Sequence, residues 1–164
     1  MDPPDTDLGA WKRIQDALPF DTKGDVLKPP EVRTVRRFLL RGEEIDWIPQ
    51  SGDMTPTHDF LWTPPGLDGL KDGNPVPLEI EMKSAKNRYS TIAEAVRDAV
   101  SRARDNEFAP VLKENFIIDI GVRYLTTKLR DQLAKYNARN PGNRIKRMWV
   151  MSSDGAQLAR IDLE

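Results

Sequence analysis

The chain has 164 residues, 38% of them hydrophobic and 31% charged, a size and balance that suit one soluble domain with a single core. Its 25 Lys and Arg against 26 Asp and Glu give a formal net charge of −1, with one His and no Cys. Those counts exclude a global polycation, disulfides, Cys-ligated zinc and multi-histidine metal chemistry, and no apolar run approaches the ~20 residues a membrane-spanning helix needs.

The opening MDPPDTDLGA is acidic and proline-rich and does not read as a signal peptide. Residues 1–30 read as a separate N-terminal segment or linker. Within it, Leu8, Trp11, Ile14, Ala17 and Leu18 have the spacing of a short amphipathic helix. Pro29 and Pro30 suit a helix start. Val32, Val35, Phe38 and Leu39 then predict a helix over 31–41, capped by Gly42.

Three strands follow in the reading: EEIDWIPQ (43–50), THDFLWTP (57–64) and VPLEIEMKSA (76–85). A turn at 51–56 and a Gly/Pro/Asp loop at 65–75 separate them. STIAEAVRDAVSRARDNEF is the clearest helix, with Ser90 or Thr91 as its cap and small apolar residues from Ile92 to Ala103 as its buried stripe. A strand at 115–124, a helix at 126–142, a strand at 144–153, an Asp154-Gly155 turn and a closing strand at 156–163 complete the chain. The expected fold is α/β: a mixed sheet with a three-stranded meander, flanked by helices, in the order αβββαβαββ.

The third strand carries the chemistry. Leu78, Ile80 and Met82 alternate with Glu79, Glu81 and Lys83. Residues two apart on a strand share a face and lie ~7 Å apart, so the two acids and the lysine are expected to project together. Asp59, in the preceding strand, can come alongside them. Close carboxylates repel and need a proton, a cationic partner or a metal. Oxygen-only ligation suits Mg²⁺ or Mn²⁺, with Zn²⁺ a third candidate. A lysine beside such a site can orient a water or stabilise a phosphoryl transition state. The competing reading is a solvated strand face with an internal ion pair.

Asp59, a loop, then Glu81-Met82-Lys83 resembles the Asp…(Asp/Glu)-x-Lys motif of the PD-(D/E)XK nuclease superfamily. The order of elements over 31–122 is similar to that superfamily's core. More narrowly, PPEVRTVRRFLLRGEEIDWIP, HDFLW, LEIEMKSA, AEAVRDAVSRA and FIIDIG resemble the C-terminal nuclease domains of contact-dependent growth-inhibition and related polymorphic toxins, several of which cut tRNA. The resemblance covers residues 31–164. It departs from the motif at His58, where the naming Pro would stand, and in its long 63–77 loop.

By that resemblance Asp59 and Glu81 would hold the metal, the Met82 carbonyl would add a ligand, and Lys83 would assist the attacking water. Glu31, in the first helix, would join the site; the helix dipole alone also explains an acid there. Lys86, Arg88 and Arg102 are candidate contacts to nucleic acid, and equally ordinary solvated cations. Glu79 and His58 are secondary candidates: Glu79 could face solvent, and His58 should point away from Asp59 as a packed or capping residue.

The resemblance implies a metal-dependent ribonuclease, with tRNA as substrate and a cognate immunity protein as partner. It implies a bacterial effector delivered into the cytoplasm of a target cell. A DNA endonuclease of the same fold is the near alternative. A non-catalytic nucleic-acid-binding or interaction module is the alternative from another class.

Overall fold

The computed structural model describes residues 2–50 and 57–164; the turn expected at 51–56 lies outside them. The protein is a mixed α/β fold. A six-stranded mixed sheet has helices on both faces.

Two helices precede the sheet, α1 (Leu8–Asp16) and α2 (Pro29–Leu40). Pro29 and Pro30 sit in the first turn of α2, where a missing N–H costs nothing. The strands of the main sheet are β1 (Asp46–Trp47), β2 (Phe60–Trp62), β5 (Leu78–Ser84), β6 (Asn115–Asp119), β7 (Arg147–Ser152) and β8 (Gln157–Ile161). Their spatial order is β1-β2-β5-β6-β7-β8. β1, β2 and β5 pair antiparallel, β5, β6 and β7 pair parallel, and β8 returns antiparallel on β7. The helix α3 (Tyr89–Arg104) makes the β5-to-β6 crossover, and α4 (Thr127–Ala134) with α5 (Tyr136–Arg139) makes the next.

Side-chain alternation divides the core in two. On one face Trp11, Val35, Phe38, Phe60, Ile80 and Ile117 pack beneath α1 and α2. On the other, Ile92, Val96, Phe116, Ile118, Leu129 and Leu133 pack beneath α3 and α4. Phe116, Ile117 and Ile118 thus point alternately to the two sides of a strand buried along its whole length, as expected of a parallel strand covered on both faces. Trp47, Trp62 and Trp149 are core residues.

Several boundaries differ from the sequence reading. The expected 43–50 strand is reduced to Asp46–Trp47. The 65–75 loop contains a helical turn at Gly66–Gly69 and a small hairpin of β3 (Leu70–Lys71) and β4 (Asn74–Pro75). Helix α3 starts at Tyr89, and its flanking Arg88 makes no side-chain cap, so neither Ser90 nor Thr91 caps it. A backbone hydrogen bond from Arg88 N to Lys86 O turns the chain early. β6 stops at Asp119 because the Asp119 carboxylate accepts the Gly121 amide at 2.8 Å and closes a turn there. The helix expected at 126–142 is broken at Lys135.

The β7–β8 turn brings α2 against the sheet. Gly155 has φ +88°, and a Cβ there would stand 3.2 Å from the Arg37 carbonyl oxygen. Only glycine meets both conditions.

Candidate active site

β2 and β5 run side by side with Phe60 opposite Ile80. The next pair along that register is Asp59 and Glu81. Asp59 N donates to the Ile80 carbonyl at 2.9 Å, so the backbone ladder reaches it. Its carboxylate then takes over: Asp59 Oδ2 accepts the Met82 amide at 2.8 Å. The side chain thus occupies a ladder position and is fixed against β5.

Asp59, Glu81, Met82 and Lys83 line one wall of an open cleft of about 540 Å³. Glu31, Thr34 and Val35 of α2 line the other. Glu31 Oε1 also accepts the Lys28 amide at 2.9 Å, which caps its own helix. Glu31 thus stands both at the helix start and on the wall of the cleft.

Burial raises the Asp59 pKa to about 7, and the Glu81 carboxylate pushes in the same direction. The Met82 amide, Lys113 and Lys83 oppose the rise. This is a carboxyl poised to change charge near neutral pH, beside a second carboxylate.

Glu81 is only 5% exposed. Lys83 Nζ lies 3.2 Å from its Oε1. Lys113 Nζ contacts its Oε2 and also donates to the Thr57 carbonyl at 2.8 Å. Lys113 had no place in the sequence reading, because a lone Lys in the irregular stretch before β6 carries no periodic signal. Glu81 and Lys83 also line a second cleft on the far side of β5, together with Asp98, Arg102, Asn106 and Lys113.

The expected grouping of Glu79 with Glu81 and Lys83 does not form. Glu79 is exposed, and its Oε2 lies 2.6 Å from His58 Nδ1. His58 is buried, in a separate depression shared with Glu79, Leu112 and Asn115. Burial lowers its pKa, and nearby Lys113 adds to that, against the raising effect of Glu79. His58 and Glu79 thus pair with each other outside the cleft. Lys86 and Arg88 are exposed just beyond Ser84, the last cleft residue of β5. Arg102 lies across the strand, in the second cleft.

Among the described residues no three acidic or histidine side chains converge as a ready-made metal cage. Two carboxylates and open solvent space are nevertheless a donor set that Mg²⁺ accepts, since it is commonly held by one or two carboxylates with water and phosphate oxygens filling the rest. The Asp59–Glu81 repulsion is also what a dication would relieve.

Comparison with known protein families, characterised proteins and solved structures returns no match. Among the described residues no helix is long and apolar enough to cross a membrane.

Proposed function

We propose that this protein is a metal-dependent nuclease of the PD-(D/E)XK type, acting on tRNA as the toxic domain of an interbacterial toxin. One observation carries the reading: Asp59 and Glu81, from neighbouring strands, share an open cleft with Lys83 and Glu31. The burial that holds Asp59 near neutrality supports it. The narrower assignment to tRNA, to delivery into a target cell and to neutralisation by an immunity protein rests on the sequence resemblance.

Asp59 and Glu81 would hold Mg²⁺ or Mn²⁺, with the Met82 carbonyl as a further donor. Such a cation, when bound, supplies an acidified water and charge neutralisation at the phosphate. Asp59 must shed its proton to bind, and its pKa of about 7 makes that step accessible at neutral pH. Lys83 Nζ, 3.2 Å from Glu81 Oε1, stands where it can donate to a phosphate oxygen or orient the attacking water. Lys113 holds the other Glu81 oxygen and so fixes the carboxylate against the Thr57 carbonyl. Lys86 and Arg88 extend the cationic path beyond the cleft.

A specific observation favours a second reading. Glu81 is already neutralised by two lysines, and a structural ion triad of that kind would suit a non-catalytic binding module.

The test is incubation of the purified protein with total tRNA and with plasmid DNA, each in Mg²⁺, Mn²⁺ or EDTA, beside Asp59→Ala and Lys83→Ala. Cleavage of tRNA alone, lost in EDTA and in both variants, is the expected result. Nicking of DNA would keep the site and move the substrate. A folded wild type that cuts neither would leave the module reading.

A further inference from the structure

Acids and bases are nearly balanced in this chain, at 26 and 25, but they are not evenly spread. From Met82 to Ala93 there is no Asp or Glu, while Lys83, Lys86 and Arg88 all fall in that stretch. From Ile120 to Arg130 there is again no acid, while Arg123, Lys128 and Arg130 are present. In a chain with about one acid in six residues, two acid-free basic stretches are informative only if they meet. They do meet.

The first stretch leaves the C-terminal end of β5, and the second leaves the C-terminal end of β6. These strands are parallel neighbours, with Ser84 opposite Asp119. Ala85 N donates to the Asp119 carbonyl at 3.0 Å, so the two loops start from adjoining backbone. The ends of parallel strands are where open α/β sheets commonly take their ligands. Ser84 lines the cleft of Asp59 and Glu81, so the basic loops continue directly from it.

The second loop also holds an exposed aromatic. Tyr124 is 72% exposed, and Val122 beside it is similarly open. Arg123 stands between them, exposed, with its backbone carbonyl tied to the Ser153 amide at 2.9 Å. A solvent-exposed tyrosine flanked by exposed cationic side chains is the combination on which an unpaired base stacks while cations track the backbone.

We propose that the loops following β5 and β6 form a single-strand RNA subsite, with Tyr124 as the stacking platform for an unpaired base and Lys86, Arg88 and Arg123 on the flanking phosphates. It rests on the nuclease reading for its substrate class, and it adds the requirement that the strand entering the cleft be unpaired.

The test is fluorescence-anisotropy binding of a labelled single-stranded RNA 12-mer to the full chain in EDTA, beside the same RNA annealed to its complement. Tyr124→Ala is expected to weaken single-strand binding five-fold or more, and Tyr124→Phe to leave it within two-fold. Arg123→Ala is expected to weaken binding and to lower the slope of log affinity against log salt by about one. Both side chains are exposed, so the variants should fold, and circular dichroism will check it. Equal binding of wild type and Tyr124→Ala, or tighter binding to the duplex than to the single strand, would overturn the subsite. Because binding is read in EDTA, Tyr124-dependent binding without any cleavage would sink the nuclease reading alone. Cleavage of tRNA with an unchanged KM in Tyr124→Ala would sink the subsite alone.

Discussion

Lys113 Nζ rests on the Glu81 carboxylate, 32 residues away in sequence, and both side chains are buried. The same ammonium donates to the Thr57 carbonyl, which ties the approach to β2, the centre of β5 and the approach to β6 together at one atom. Lys113→Met would leave Glu81 in a buried position with Lys83 as its remaining partner. Removing one member of a buried pair typically costs about 3–5 kcal/mol, and a loss of that order is expected in urea unfolding. Lys113→Met combined with Glu81→Met should recover much of it, because the unpaired charge goes too. A loss under about 1 kcal/mol in the single variant would show that the pair is not formed in solution.

Asp59 leads to a prediction about pH. Its carboxyl has a folded pKa of about 7, against an ordinary value of 3.8. The folded protein therefore holds a proton that the unfolded chain releases, so the Asp59 contribution is fully present below about pH 4 and is lost as pH rises toward 7. Asp59→Asn removes the titration while its Oδ1 can still accept the Met82 amide. In EDTA the variant should gain stability over wild type between pH 5 and pH 8, by about 4 kcal/mol at the upper end. Added Mg²⁺ should narrow that gap by stabilising only the wild type. Equal pH dependence in both proteins, followed by thermal unfolding, would remove Asp59 from the account.

The parts of this site that could be read from the sequence are those with a strand's period of two. Alternation puts Glu81 and Lys83 on one strand face, the neighbouring strand brings Asp59 alongside, and the three line one cleft. The same alternation placed Glu79 with them, and here it was insufficient, because His58 claims that carboxylate at 2.6 Å. Period sets the face of a strand; neighbours decide what a long side chain reaches. Lys113 was illegible for the opposite reason, having no periodic context at all. Asp119 did leave a signal. A carboxylate inside the apolar run Phe116–Ile120 is costly unless paired, which would have predicted a buried cationic partner somewhere in the fold.

Trp11 tests how far the N-terminal segment belongs to the domain. Its side chain is buried, its indole donates to the Pro4 carbonyl at 3.0 Å, and the Arg33 guanidinium stacks 5.0 Å from the ring centre. It packs in the same apolar cluster as Val35 and Phe38 of α2. Trp11→Ala should therefore destabilise the whole cooperative unit by about 3–5 kcal/mol. A single urea transition shifted to lower midpoint is the expected result. An unshifted transition would mean that residues before α2 dock without supporting the fold.

The buried Asp119 carboxylate pairs with Arg37 and holds α2, and with it one wall of the cleft, against the sheet. It is fully buried, and its Oδ2 accepts Thr34 Oγ1 and Arg37 Nη1, each at 2.9 Å. Arg37 Nε also pairs with Asp154 at 2.8 Å. These bonds fix α2 to the ends of β6 and β7. Thr34 lines the cleft, and Glu31 stands one turn before it, so the same bonds set the distance between the Glu31 wall and the Asp59–Glu81 wall. Asp119→Asn removes the charge opposite Arg37 and places an amide donor among donors. A destabilisation of about 3 kcal/mol is expected from the loss of charged, buried hydrogen bonds. At a temperature where the variant is still folded by circular dichroism, the proposed tRNA cleavage should fall further than Arg37→Lys makes it fall, since lysine keeps one bond to the carboxylate. If Asp119→Asn is folded, destabilised and cleaves at the wild-type rate, the position of α2 does not control the site.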